Sequence, residues 1–176
     1  MAVIMPVLTT ARLELRPPVA SDFAANMAIV SHEETARYLA AHKGPADHFA
    51  RFCRNAGSWM LYGYGAFTVR LRSEKEIIGN CGVFHTLRGL GPDFDDQPEA
   101  GWILRHDQVG RGLAREAMEA VLEWFGGEHG GRRIVCMIEP GNEPSIRLAG
   151  KLGFTPMREA KLPEGGAVRL FERLPR

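Results

Sequence analysis

Cysteine is scarce in this chain, and neither sign of charge dominates. Cys53, Cys81 and Cys136 are the only three cysteines among 176 residues, and they stand far apart in apolar surroundings. An odd, scattered set rules out a disulfide framework and lacks the close spacing of a metal site, so buried thiols and no metal are expected. Twenty-two basic residues against 21 acidic ones leave a net charge of +1. Such a balance supplies no global field for nucleic acid or an anionic membrane surface. No apolar run reaches spanning length, and the opening MAVIMPVLTT has neither the basic leader nor the apolar length of a secretion signal. A cytoplasmic protein is the expectation. Repeats and low-complexity tracts are also missing, and the length suits one domain over residues 1–176 with a core of its own.

What is present concentrates between Glu99 and Phe125. Ala100 to Leu104 is a short apolar run, as a buried strand should be. Gly110, Arg111, Gly112, Leu113 and Ala114 form a tight turn, after which Ala117, Val121, Trp124 and Phe125 recur at helical spacing while Arg115, Glu116, Glu119 and Glu123 face outward. Gly126-Gly127 is expected to stop this helix. A helix start leaves backbone N–H groups unpaired at the positive end of the dipole, which suits an anion such as a diphosphate. Glycines at 110 and 112 would let that anion approach closely.

Elsewhere, Arg12 to Arg16 alternates as a half-buried strand, and Ser21 is a suitable cap for a helix through Val30. Further helices are expected over 33–40 and 45–61, the latter with Phe49, Phe52, Ala56 and Met60 on one face. Residues 66–71 and 77–84 read as a hairpin, with Gly79 and Gly82 marking a bulge or a close approach. His85 ends the second strand and reads first as a structural residue. The loop from Thr86 to Pro98 carries Asp93, Asp95 and Asp96, either as a solvated loop or as an attractor for a positively charged group. Strands at 133–139, 155–159 and 167–174 frame a helix from Pro144 to Leu152.

V-G-R-G-L-A at 109–114, I-E-P-G-N-E-P-S-I-R-L-A at 138–149 and K-L-G-F at 151–154 together resemble the GNAT superfamily of N-acetyltransferases. The opening L-T-T-A-R-L-E-L-R-P-P at 8–18 and S-I-R-L-A at 145–149 are most similar to its ribosomal-protein N-terminal acetyltransferase branch. The resemblance implies an α/β (α+β) domain with helices on both faces of a mixed, mostly antiparallel sheet. That sheet would have six to seven strands and would splay between the fourth, at 100–104, and the fifth, at 133–139. Acetyl-CoA is the implied co-substrate, with no metal. Its pantetheine arm would lie on the backbone of Ile103 and Leu104, and its diphosphate over Gly110, Arg111, Gly112, Leu113, Ala114 and Arg115. Asn142 would hold a pantetheine amide, or else cap the helix that follows. Arg111 and Arg115 could add charge to the phosphates or be merely solvated.

Amide formation from a thioester needs a neutral amine and a proton for the departing thiolate. By resemblance Glu99 is the general base, direct or through water; a strand-start carboxylate in solvent is the plainer reading. The tyrosine that many members use as acid is replaced by Ala149, so Ser145 becomes the candidate, against a plain helix-turn role. Trp59, Tyr62 and Tyr64 would line the acceptor side or serve the core, and Phe154 would pack the base of the site. The acceptor would be a small-molecule amine or a protein N-terminus, attacked directly in a ternary complex, and the resemblance is compatible with a homodimer. An acyl-CoA sensor without turnover stays open, since Val109 stands where members carry Gln or Arg. A module binding ATP or NAD through the glycine turn is the third reading.

Overall fold

The computed structural model describes residues 5–39 and 44–175. Among these residues eight strands form one sheet: β1 (Leu8–Thr9), β2 (Leu13–Arg16), β3 (Ala66–Leu71), β4 (Ile77–His85), β5 (Pro98–Leu104), β6 (Ile134–Ile138), β7 (Thr155–Lys161) and β8 (Ala167–Arg173). Their order is β1-β2-β3-β4-β5-β6-β8-β7, and every neighbouring pair is antiparallel except β5–β6. The strand beyond the expected seven is β1, whose two residues are too few for any periodicity to reveal. Thr10 and Arg12, in the bend after it, are held by Glu116, 2.6 Å from Thr10 Oγ1 and 2.8 Å from the Arg12 N–H.

Helices α1 (Phe23–Ser31), α2 (Glu33–Ala36), α3 (Pro45–Tyr62), α4 (Leu113–His129) and α5 (Glu143–Lys151) complete the element order. Strand side chains alternate between faces, so Leu13, Phe67, Cys81, Ala100 and Cys136 share one face. There they join Leu113, Ala117, Val121 and Phe125 of α4 and Ala149 of α5 in the main core. On the opposite face Asp22, just before α1, reaches Thr68. A second core of Leu90, Phe94, Val135, Leu162, Val168 and Leu170 lies under the 86–97 loop.

Several local expectations change. Asp22 rather than the exposed Ser21 secures the start of α1: it is buried, forks onto Arg16 at 2.7 Å through both oxygens, and accepts the Val19 N–H at 2.9 Å. Gly126 and Gly127 do not stop α4, which runs to His129 and ends at Gly130. His129 packs against the rings of Tyr64, Trp124 and Phe125, and that burial carries the helix through two poor helix formers. In α3 the packed residue is Trp59, while Phe49 and Met60 are exposed. Cys53 is exposed on the same helix, whereas Cys81 and Cys136 are buried as expected. Of the helix expected over 33–40, α2 covers Glu33–Ala36, and Ala40 lies outside the described residues. Gly79 and Gly82 mark close approaches: a β-carbon there would collide with the backbone of Ile103 and of Gly65.

Candidate active site

β5 runs beside β4 for its full length, Gly79↔Leu104 through His85↔Pro98, but meets β6 in register at one pair only, Glu99↔Val135. Beyond that pair the two strands part, so Ile103 and Leu104 present a backbone edge to a gap. The expected splay is therefore present. Arg105 leaves β5 by donating its N–H to the Ile78 carbonyl, and a 3-10 turn at His106–Gln108 leads to the glycine turn.

Gly110 and Gly112 adopt φ of 82° and 75°, the left-handed region in which a β-carbon is penalised. Gly112 is the N-cap of α4, so the free N–H groups of the first turn follow it directly. A β-carbon on Gly110 would meet no atom within 4 Å, and on Gly112 only Arg12 Nη2 at 3.7 Å. The turn is therefore open above its backbone. Arg111 gives its guanidinium to Gln108, and Arg115 pairs with Glu119 at 2.7 Å. Sequence reasoning missed the latch behind the turn: Arg12 pairs with Glu116 at 2.6 Å and donates to the Arg111 carbonyl at 3.0 Å. Desolvation raises the pKa of Glu116, but bonds from Thr10 and Arg12 outweigh it and hold the carboxyl below its ordinary range.

Across the gap, Asn142 caps α5 by accepting the Ser145 N–H at 3.3 Å. The Ser145 Oγ accepts the indole N–H of Trp102 at 3.2 Å. Ala149 is fully buried in the main core, and Phe154 is buried there with it. A tyrosine at 149 would overpack this site, so the missing hydroxyl cannot simply be put back.

Glu99 is 3% exposed and not the solvated strand-start residue of the plainer reading. Arg88 forks onto it, Nε to Oε2 at 2.9 Å and Nη2 to Oε1 at 2.7 Å, and Thr86 Oγ1 also donates to Oε2. Burial works against the Arg88 charge, but the facing carboxylate outweighs it and the guanidinium pKa is raised. Among the described residues only Arg88 donates to Oε1, which keeps a lone pair for a further donor. By strand alternation Glu99 and Trp102 point to opposite faces of β5, so Glu99, held by Arg88 and Thr86, and Ser145, held by Trp102, lie on different sides of that strand. Arg88 gave no signal in sequence, because a loop without periodicity separates it from its partner.

Each aspartate of the acidic loop has a partner in the fold. Asp93 pairs with Arg158 at 2.7 Å, Asp95 accepts the N–H groups of Arg88 and Gly91, and Asp96 lies 3.0 Å from His85 Nε2. His85 is hydrogen-bonded at its other ring nitrogen too, with Tyr64 Oη 3.1 Å from its Nδ1 and Tyr62 stacked on its ring. Trp59 and Tyr64 belong to the core, whereas Tyr62 is partly exposed. Burial pushes the Cys81 thiol up to about 12 and raises that of Cys136 as well. Among the described residues no group of three or more His, Cys, Asp or Glu could hold a metal, and no helix is long and apolar enough to cross a membrane.

Residues 12–155 match the family described as acetyltransferase (GNAT) domain. This chain belongs to the GNAT acetyltransferase family. It is 34% identical over 87 residues to the uncharacterized N-acetyltransferase YnaD of Bacillus subtilis (strain 168), covering 49% of this chain and 48% of YnaD. The chain thus spans about half the length of the curated relatives it matches. A solved structure from Bordetella pertussis, assigned to the GNAT-family acetyltransferases, superposes with a TM-score of 0.84 at 35% identity, over 96% of this chain and 99% of that one. RimL, a ribosomal L7/L12 alpha-N-protein acetyltransferase in complex with coenzyme A, shares the fold at a TM-score of 0.75 and 16% identity, over 96% of this chain and 98% of its own.

Proposed function

We propose that this protein transfers the acetyl group of acetyl-CoA to a primary amine, by direct attack within a ternary complex. The observation that carries the reading is the parting of β5 from β6 after Glu99↔Val135, with the open glycine turn at the end of β5. A pantetheine arm has an unpaired backbone edge to follow at Ile103 and Leu104. A diphosphate has the N–H groups from Gly110 to Arg115, with Asn142 near the arm. Glu99 then holds the attacking amine, or a water bound to it, through the open lone pair of Oε1, and Ser145 returns a proton to the thiolate. Direct attack is favoured over an acetyl-enzyme on Cys81 or Cys136, whose burial raises their pKa values and keeps both thiols neutral. The acceptor class is a protein N-terminus, the kind of acceptor RimL acts on, or a small amine.

The test is CoA release from acetyl-CoA across a panel of small amines and short peptides, with initial rates taken at varied concentrations of both substrates. Saturable release with intersecting double-reciprocal lines is expected. Acetyl-CoA binding without release for any acceptor would make the protein an acyl-CoA sensor, and parallel lines with an acetylated enzyme in the mass spectrum would refute direct attack.

A further inference from the structure

We propose that Trp102 is a positioning residue for the acid Ser145, an inference that rests on the reading of Ser145 given above. The contact is the one hydrogen bond among the described side chains that joins β5 to α5, Trp102 Nε1 to Ser145 Oγ at 3.2 Å. An indole nitrogen can only donate, so Oγ must be the acceptor. The backbone N–H of Ser145 is already committed to Asn142 Oδ1. Its hydroxyl proton donates to no described residue. A first-turn serine commonly turns its hydroxyl back on its own helix; here the indole occupies one lone pair and leaves the O–H as the group with freedom to act.

Trp102 is well placed for this task. It is half-buried against the main core, which fixes the ring, and it precedes Ile103 and Leu104 on the strand edge that borders the gap. The strand expected to carry the pantetheine arm therefore also aims the acid. In the proton step the Ser145 O–H bond breaks, an S–H bond forms on the departing thiolate, and water reprotonates Oγ. The proton lost by the acceptor amine leaves separately by way of Glu99. As the O–H bond breaks, negative charge grows on Oγ, and the indole N–H is already directed at that atom. A donor fixed where charge develops lowers the barrier without reorganising.

The experiment is a double-mutant cycle on the full chain with Trp102→Phe and Ser145→Ala, read as kcat and KM for acetyl-CoA. Trp102→Phe keeps an aromatic ring and removes the N–H. It should lower kcat by about tenfold, what one hydrogen bond is worth, with KM changed by less than about twofold. Ser145→Ala should lower kcat by about ten- to a hundredfold. In the Ser145→Ala background Trp102→Phe should have no further effect, a coupling that a merely structural role would not produce. Trp102→Leu, with thermal unfolding of each variant, serves as the second substitution should Phe fail to fold. Multiplying effects in the double variant, or a wild-type kcat for folded Trp102→Phe beside a slow Ser145→Ala, overturns the role of Trp102 and leaves Ser145 as the acid. A wild-type rate for Ser145→Ala with chemistry rate-limiting removes the acid itself, and both readings fall.

Discussion

At the scale of single residues, Glu99 has two duties that conflict. Its carboxylate anchors the buried end of Arg88, yet the proposed chemistry asks the same group to receive an amine. Breaking one side of such a pair strands the other charge, so Glu99→Gln should cost about 3 kcal/mol of stability in urea denaturation, and Arg88→Met a similar amount. Joined in one chain, the two substitutions should cost less than their sum, because neither charge is then left alone. Additive losses would show that the fork contributes nothing to the fold. This also governs how rates are read. A fall in kcat/KM near neutral pH reports on the amine only if it appears both in Glu99→Gln at temperatures where it stays folded and in the double variant.

At the scale of elements, two helices give opposite lessons about local rules. α1 is secured by Asp22, whose carboxyl is raised by burial but lowered further by Arg16, the Val19 N–H and Thr68, ending below its ordinary value. A depressed carboxylate adds stability above its unfolded-state pKa and loses it as pH falls through the folded one. Asp22→Ala should therefore cost about 3 kcal/mol at neutral pH, and the deficit should narrow below about pH 3.9. A constant deficit from pH 7 to pH 3 would count against the ion pair. α4, by contrast, carries Gly126 and Gly127 inside its last turns, where a β-carbon would meet nothing within 4 Å. Each Gly→Ala change there should add about 0.5–1 kcal/mol, seen as a higher unfolding midpoint without change in rate. A lowered midpoint would mean that the last turns need the freedom of glycine.

Over the whole molecule, the proposed ligand site is a defect in the sheet, and ligand binding should heal it. CoA at a hundredfold excess over Kd should stabilise the fold by about 2.7 kcal/mol, measurable as a shift in thermal midpoint. Gly112→Val should lower the midpoint of the free protein, since a left-handed conformation costs a residue with a β-carbon about 1–2 kcal/mol, and should abolish the shift. Gly165→Val is the control. Its φ of 101° brings comparable strain in the β7–β8 turn, so it should be equally destabilised but keep the response to CoA. If Gly112→Val also keeps the full shift, the diphosphate does not lie on this turn.

How much of this was legible in the sequence follows the range of the interactions involved. Leu113, Ala117, Val121 and Phe125 are buried because helical spacing puts them on one side, and Gly110 and Gly112 take positive φ because the turn is tight; both are facts of neighbouring residues. The element order and the turn beneath the proposed diphosphate were readable for that reason. Partnership was not. Glu116 meets Arg12 across 104 residues, Trp102 meets Ser145 across 43, and Arg88 reaches Glu99 from a loop that no periodicity describes. Arg88 made Glu99 part of a buried ion pair, and other long-range contacts engaged the acidic loop through Arg158 and His85, closed position 149 in the main core and carried α4 past two glycines by packing His129 on Tyr64, Trp124 and Phe125. By itself the sequence determined which segments become strand, turn and helix, because backbone sterics and apolar spacing act locally. Which charged and polar groups remain free for chemistry was decided only by the tertiary structure, because a side chain's last hydrogen-bonding site is filled by whatever the fold brings beside it.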